Sequence, residues 1–206
     1  MPLKNVILEE TETYVRLLCK LLPAHLYFHS LNHTEEVVNA VNEIGSAEGL
    51  DQERLTILAI AAWFHDTGYC FAYKGHEEKS KELAWEFLSG KNYDPGNIEL
   101  VLKYISATLY PQQPKSLEEK IICDADFYHF SCRDYVEHEK KLRKEWKFYL
   151  GKVYTDEEWL QENCHMLQQH IYFTDYGKKV LQPKKETNLR RIGCLNCPDS
   201  RSMKSC

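Results

Sequence analysis

The stretch ERLTILAIAAWFHD, residues 53–66, constrains this 206-residue chain more than any other. Its charge is confined to the first turn, and from there to Phe64 the residues are almost wholly apolar. A helix that is apolar all round has no face to turn to water, so it belongs inside a core. Asp51 is placed to cap its start by accepting a free backbone N–H. Thr67-Gly68 stops it. His65 and Asp66 therefore arrive as two titratable groups at the inner end of a core helix, where losing water is costly unless something compensates.

The rest of the chain reads as helices that could surround it. Residues 12–22 carry an amphipathic stripe and stop at Pro23, and residues 33–48 place Val37, Val38, Val41 and Ile44 on one face. HEEKSKELAWEFLSG (76–90) starts acidic and ends at Ser-Gly; Asp94-Pro95 opens NIELVLKYISATL, which YPQQP ends. LEEKIICDADFYHF comes next, then a long charged helix over 134–149 and one or two more over 155–182. No run alternates with period two for long enough to make a strand. The expected fold is an all-α bundle with additional C-terminal helices, one domain over residues 1–182. The basic, cysteine-dotted stretch 183–206 is expected to be a poorly ordered tail.

Composition narrows the function classes. Apolar residues at 43% and charged residues at 28% suit an ordinary globular domain. A net charge of −5 argues against binding a nucleic-acid polymer, which normally demands a basic face. The N-terminal residues lack the apolar run of a signal peptide, and no stretch of about 18 apolar residues is present to span a membrane. Cys19, Cys70, Cys123, Cys132 and Cys164 lie at scattered apolar or helical positions, which predicts reduced thiols and a cytoplasmic protein. Cys194 and Cys197 have the spacing of half a zinc knuckle but lack a second half with histidine. There is neither a G-x-x-x-x-G-K phosphate loop nor a G-x-S-x-G nucleophile elbow.

The polar residues inside the helices gain meaning when set together. His33 opens one helix, His65 and Asp66 end another, and Asp124 and Asp126 interrupt the apolar face of IICDADF. Buried carboxylates need a partner or a cation. Two imidazoles and two carboxylates brought together would hold a divalent metal of hard-to-borderline character. Residue types alone do not separate this from structural histidines and helix-capping aspartates.

Order and context do. The succession His33, His65-Asp66, Asp126, in the settings LNHTEEVV, AAWFHDTGY and IICDADF, resembles the HD superfamily of metal-dependent phosphohydrolases. The likeness runs from about Tyr27 to Phe130. It implies a helical bundle converging on a divalent ion (Mn, Mg, Co, Ni, Fe or Zn) held by His33, His65, Asp66 and Asp126. It also implies hydrolysis of a small phosphate ester by a metal-activated water, which the second oxygen of Asp66 could orient or deprotonate. Asp124 and Asp126 stand about 200° apart around a helix, so only one can face the ion. In related sequences it is the aspartate after the small residue, here Asp126; Asp124 is left to orient a histidine ligand from behind.

Two further histidines enter on the same basis. His29, in YFHSLNHT, resembles the first histidine of the YHN-x-x-H pattern of cyclic-nucleotide phosphodiesterases, which protonates the leaving group. Phe28 and Ser30 depart from that pattern, and a partly exposed structural histidine is the competing reading. His76 falls where dinuclear members place an extra ligand, and could instead meet phosphate at the start of its helix or be an ordinary helix residue. Thr108 stands where a further histidine would complete a dinuclear set, so one ion is expected. Lys74, Lys79, Arg143 and above all Lys115, after the YPQQP turn, are candidate phosphate contacts. Tyr172–Thr174 and the helix after them are expected to pack over the bundle or at a homodimer seam. The alternatives to a phosphohydrolase are an HD-fold iron-dependent oxygenase and a non-catalytic metal-binding or partner-binding module.

Overall fold

The structure is a computed structural model in which residues 6–194 are described. Among them are nine α-helices and no strand: α1 (Val6–Leu18), α2 (Leu31–Ala47), α3 (Gln52–Phe64), α4 (His76–Gly90), α5 (Pro95–Ala107), α6 (Leu117–Asp126), α7 (Tyr135–Tyr149), α8 (Asp156–Gln169) and α9 (Gln182–Arg191). α3 is the axis of the bundle. Every residue from Leu55 to Phe64 is buried, and α1, α2, α4, α5 and α6 all pack on it. That explains its sequence: a helix surrounded on all sides keeps no polar stripe.

Local chemistry sets the helix ends. The Asp51 carboxylate accepts from the Arg54 N–H at 2.9 Å and so caps α3. Asp94 caps α5 in the same way, with Pro95 at its first position. Thr155 and Glu158 form a reciprocal capping box at the start of α8. The first helix lies earlier than the stripe over 12–22 suggested: α1 covers Val6–Leu18, and Cys19–Leu21 tightens into a 3₁₀ turn before Pro23. α2 begins at Leu31, with Ser30 in extended backbone before it, so His29 precedes the helix and shares no helical face with His33.

α7, α8 and α9 build a second, smaller core from Phe130, Tyr135, Leu167, Leu189 and Cys194. The predicted tail boundary at Pro183 falls inside α9, whose Lys185, Asn188 and Leu189 are buried. Asn188 ties the helix down by donating to the Phe130 and Cys132 carbonyls at 2.9 and 2.7 Å. The expectation of a reduced Cys164 is overturned, because it forms a disulfide with Cys194. The end of α9 folds back over α8 and brings the two Cα atoms to 5.4 Å, a proximity that no spacing in the sequence announces. Cys19, Cys70, Cys123 and Cys132 are free thiols. Cys197 and the remainder of the C-terminal stretch lie outside the described residues. Among the described residues, no helix is long and apolar enough to cross a membrane.

One close approach positions the functional end of α3. After Asp66 the chain makes a 3₁₀ turn, Thr67–Cys70, against the first turn of α4. The Gly68 N–H donates to Ser80 Oγ at 2.8 Å, and a Cβ on Gly68 would collide with the His76 carbonyl and approach the Ser80 nitrogen to 2.9 Å. These obstacles include backbone and cannot swing aside. Gly68→Ala is expected to destabilise by about 1–3 kcal/mol or more, the range for overpacking a filled site. Thermal denaturation checks this; an unchanged Tm would show that α4 can retreat freely.

Candidate metal centre

Four helix ends converge on one point. His33 comes from the first turn of α2, His65 and Asp66 from the end of α3, Asp126 from the last residue of α6 and His76 from the first residue of α4. His65 is 1% exposed, His33 4% and Asp66 9%, so three polar side chains meet in an essentially dry place. His65 Nδ1 lies 2.7 Å from the Ala62 carbonyl. A carbonyl can only accept, so Nδ1 carries a hydrogen, and Nε2 is left to face the cluster.

Asp66 Oδ2 stands 3.2 Å from His65 Nε2 and 3.5 Å from His33 Nε2. Asp126 Oδ1 is 3.4 Å from His33 Nε2 and 3.8 Å from His65 Nε2. Its other oxygen accepts from Gln112 Nε2 at 3.2 Å, a contact the sequence does not announce. Burial opposes the charged form of His65, yet Asp66 and then Asp126 outweigh it and push its pKa up to about 9. The Asp66 carboxyl is likewise held well below its ordinary range, against the effect of burial, by His65 and His76. The centre is a concentrated negative field that draws positive charge.

The residues fit a metal ion. His33 Nε2, His65 Nε2 and Asp66 Oδ2 are buried with no hydrogen-bond partner, and such ligand atoms on these three residues lie within 4.8 Å of one another. Buried polar atoms are normally satisfied. Three unsatisfied ones aimed at a common point have the arrangement a cation would complete, and two nitrogens with one or two carboxylate oxygens suit borderline divalent ions.

The remaining candidates divide. His76 joins the centre: its Nε2 is 3.4 Å from Asp66 Oδ1, and its ring stacks on Tyr69 with centroids 3.8 Å apart. The oxygen of Asp66 that the resemblance left to handle water is thus turned toward His76. Asp124 is in the wrong place to orient a histidine. It is fully buried, and its oxygens accept from the Phe173 N–H at 2.8 Å and from the Thr174 N–H and hydroxyl at 2.9 and 2.6 Å. The helical separation from Asp126 that was visible in the sequence turns Asp124 outward onto the 172–174 segment, which packs over the bundle. Lys115 is exposed, and its backbone N–H donates to Glu119. Lys74 is exposed, Lys79 pairs with Glu82 at 2.5 Å and Arg143 with Asp156 at 2.8 Å.

Asp126→Asn is therefore expected to weaken metal binding beyond the about 10–100-fold typical of a supporting partner. Asp124→Asn should keep the metal and instead lose about 1–3 kcal/mol of stability, since an amide cannot accept at both of its ends. Metal titration and thermal denaturation of the two variants check this, and the opposite ranking would reverse the two roles.

His29 sits beside the centre, on a loop, and is held by a group the sequence concealed. Glu145, on α7 and fully buried, accepts from the Phe28 N–H at 2.9 Å, the His29 N–H at 3.2 Å and the Tyr73 hydroxyl at 3.1 Å. It also takes a short contact from His29 Nδ1. The opposite ring nitrogen, Nε2, lies 3.4 Å from the Tyr69 hydroxyl, and the His29 and His33 ring centroids are 5.9 Å apart. Burial alone would lower the His29 pKa; Glu145, then Asp66 and Asp126, reverse this and raise it. Glu145 stands in KKLRKEWKF, a run that looks like a solvated face, and the loop it binds lies 116 and 117 positions away. No local signal could have disclosed it. His129 was equally hidden: it is buried, its Nδ1–H donates to the Asp126 carbonyl at 3.1 Å, and burial together with His33 keeps its pKa well below the usual imidazole range.

Comparison with known proteins agrees with this architecture. The HD domain family profile matches residues 30–131, which hold His33, His65, Asp66, His76 and Asp126. No curated protein matches. Among solved structures, the Lin1889 protein from Listeria innocua is similar at a TM-score of 0.63 and 18% identity, over 93% of this chain and 94% of that one. A protein from Lactobacillus plantarum reaches 0.67 at 15% identity, over 92% and 94%. At such identities these two neighbours speak to the fold alone, and they extend it through the C-terminal helices beyond the matched segment. With its helical bundle and the His and Asp cluster at the converging helix ends, the chain belongs to the HD-domain superfamily.

Proposed function

We propose that the protein hydrolyses a small phosphate ester, a nucleotide-type monoester or diester, at a divalent metal held by His33, His65, Asp66 and Asp126. The observation that carries this reading is the trio of buried ligand atoms on His33, His65 and Asp66 that have no hydrogen-bond partner. When bound, a divalent ion there supplies an acidified water near neutral pH and offsets charge on the phosphoryl group. The protein's own residues do the rest. The His65 Nδ1–H, fixed on Ala62, keeps that imidazole turned inward, and Gln112 holds Asp126. His29, with Nδ1 fixed on Glu145, offers its Nε2 as a proton donor to a departing oxygen. His76, beside Asp66 at the start of α4, and Lys115 are the proposed phosphate contacts.

The test is a panel of nucleotides, cyclic nucleotides and aryl phosphates with Mn²⁺, Mg²⁺, Co²⁺ or Ni²⁺, and with chelator. Metal-dependent, chelator-sensitive release of product from at least one natural ester is expected. Stoichiometric metal binding without turnover of any member would point to a non-catalytic module. A second reading, an iron-dependent oxygenase, needs a second ion, and His76 facing the far oxygen of Asp66 is the observation in its favour. Two irons per chain with oxygen uptake in place of phosphate chemistry would select it.

A further inference from the structure

Away from the metal centre, between α8 and α9, lies a cleft of about 620 Å³, within the size range of small-molecule sites. Its walls are apolar where Leu167, Leu189 and Ile171 line it, and Ile171 is 64% exposed at the surface. Lys185 lines the same cleft, together with Lys178 and Glu186, and is only 1% exposed, a rarity for a lysine with no carboxylate in hydrogen-bond reach. Among the described residues its ammonium finds only His170: it donates to the carbonyl at 2.5 Å and approaches Nδ1 at 3.4 Å. An ammonium has three N–H donors, so one has no acceptor among the described residues. The Tyr172 ring, 5.4 Å away, adds a π face but no negative charge.

Capping α8 accounts for part of this, because a cation at a helix C-terminus is favourable and His170 is the residue that ends the helix. It does not account for the third donor, or for the apolar cleft beside it. The buried amine is also held below its ordinary range, at about 8, by burial against the opposing pull of Glu186. A group in that condition is one that an anion would stabilise.

We propose that this cleft is a second ligand site, separate from the metal centre, for a small organic anion. Its carboxylate or phosphate would meet the Lys185 ammonium, and its apolar body would lie on Leu167, Ile171 and Leu189. The shared chemistry is an oxyanion on an apolar group, and the two headgroups are separated by experiment.

The test is a ¹H–¹⁵N NMR titration of the full chain with benzoate, with phenylphosphonate (which has no ester bond to hydrolyse), and with uncharged phenol. Saturable shifts at residues 167–172 and 185–189 are expected for at least one anion, with the stronger of the two identifying the headgroup. Phenol should bind at least about tenfold more weakly, as loss of a charge-assisted contact implies. Lys185→Met, which keeps the apolar stem, should weaken anion binding by a similar factor. Lys185→Arg should retain binding. Absence of saturable shifts in the wild-type cleft, or equal binding of phenol and the anions, overturns the proposal. The wild-type titration decides on its own if Lys185→Met fails to fold.

Discussion

Asp66→Ala is expected to empty the protein of metal and abolish hydrolysis together, with helix content intact. One oxygen of Asp66 stands within 3.5 Å of both inward-facing histidine nitrogens, and the other faces His76, so no other side chain touches as much of the centre. Loss of the ion removes several kcal/mol of transition-state stabilisation, and at 1.36 kcal/mol per decade that is a fall of at least about 10³-fold. The fold should survive. Asp66 lies beyond the last residue of α3 and caps no helix by a side-chain hydrogen bond. His65, whose raised pKa depends on Asp66, can give up its proton and strand no charge. Metal content of the purified variant, measured beside its circular dichroism, checks both halves. Full metal occupancy would mean that the ligands lie elsewhere.

His29→Ala is expected to show the second largest effect, and a selective one. A general acid contributes about 10²–10⁴-fold when the leaving group is a poor one such as a sugar alkoxide, and little when it is a p-nitrophenolate. The variant should therefore keep its metal, lose that factor on nucleotide-type substrates and stay near wild type on p-nitrophenyl esters. Glu145→Gln should produce a weaker version of the same pattern, because Glu145 positions His29 without reaching the centre itself. It should also change the pH profile. A raised pKa keeps His29 protonated at lower pH and lets the proton go as pH rises through it, so the alkaline limb of kcat/KM reports its loss. Glu145 is the largest of the charges that raise this pKa, and removing its charge should shift that limb to lower pH. Equal losses on both substrate classes, with an unmoved limb, would mark His29 and Glu145 as packing residues.

The parts of this architecture that were legible in the sequence are those governed by short-range physics. The apolar circumference of α3, the caps at Asp51 and Asp94, and the helical angle between Asp124 and Asp126 depend on neighbours a few residues away. What stayed hidden depends on distant partners. Glu145 looks solvated among its lysines until a loop from the other end of the chain covers it. Asp124 stands out in the sequence as buried and unusual, but its partners, the Phe173 and Thr174 N–H groups and the Thr174 hydroxyl, lie about 50 positions away and nothing near it points to them. The Cys164–Cys194 bond rests on how α9 folds back, which no periodicity encodes. The sequence places His29 near the right centre, but α2 starts two residues after it, and Glu145 rather than a helix is its support.

Asp124 has a consequence for where the functional unit ends. The profile-matched segment 30–131 holds all four candidate metal ligands and His76, and would look sufficient by itself. Yet the carboxylate two positions before Asp126 takes its hydrogen bonds from residues 173 and 174, and the support of His29 comes from residue 145. A chain cut at 131 would lose all three donors that hold Asp124, and with them the segment that packs over its own metal-facing helix. Modularity at the level of motif is thus not modularity at the level of folding: the C-terminal helices are the other half of the mould in which the centre is cast.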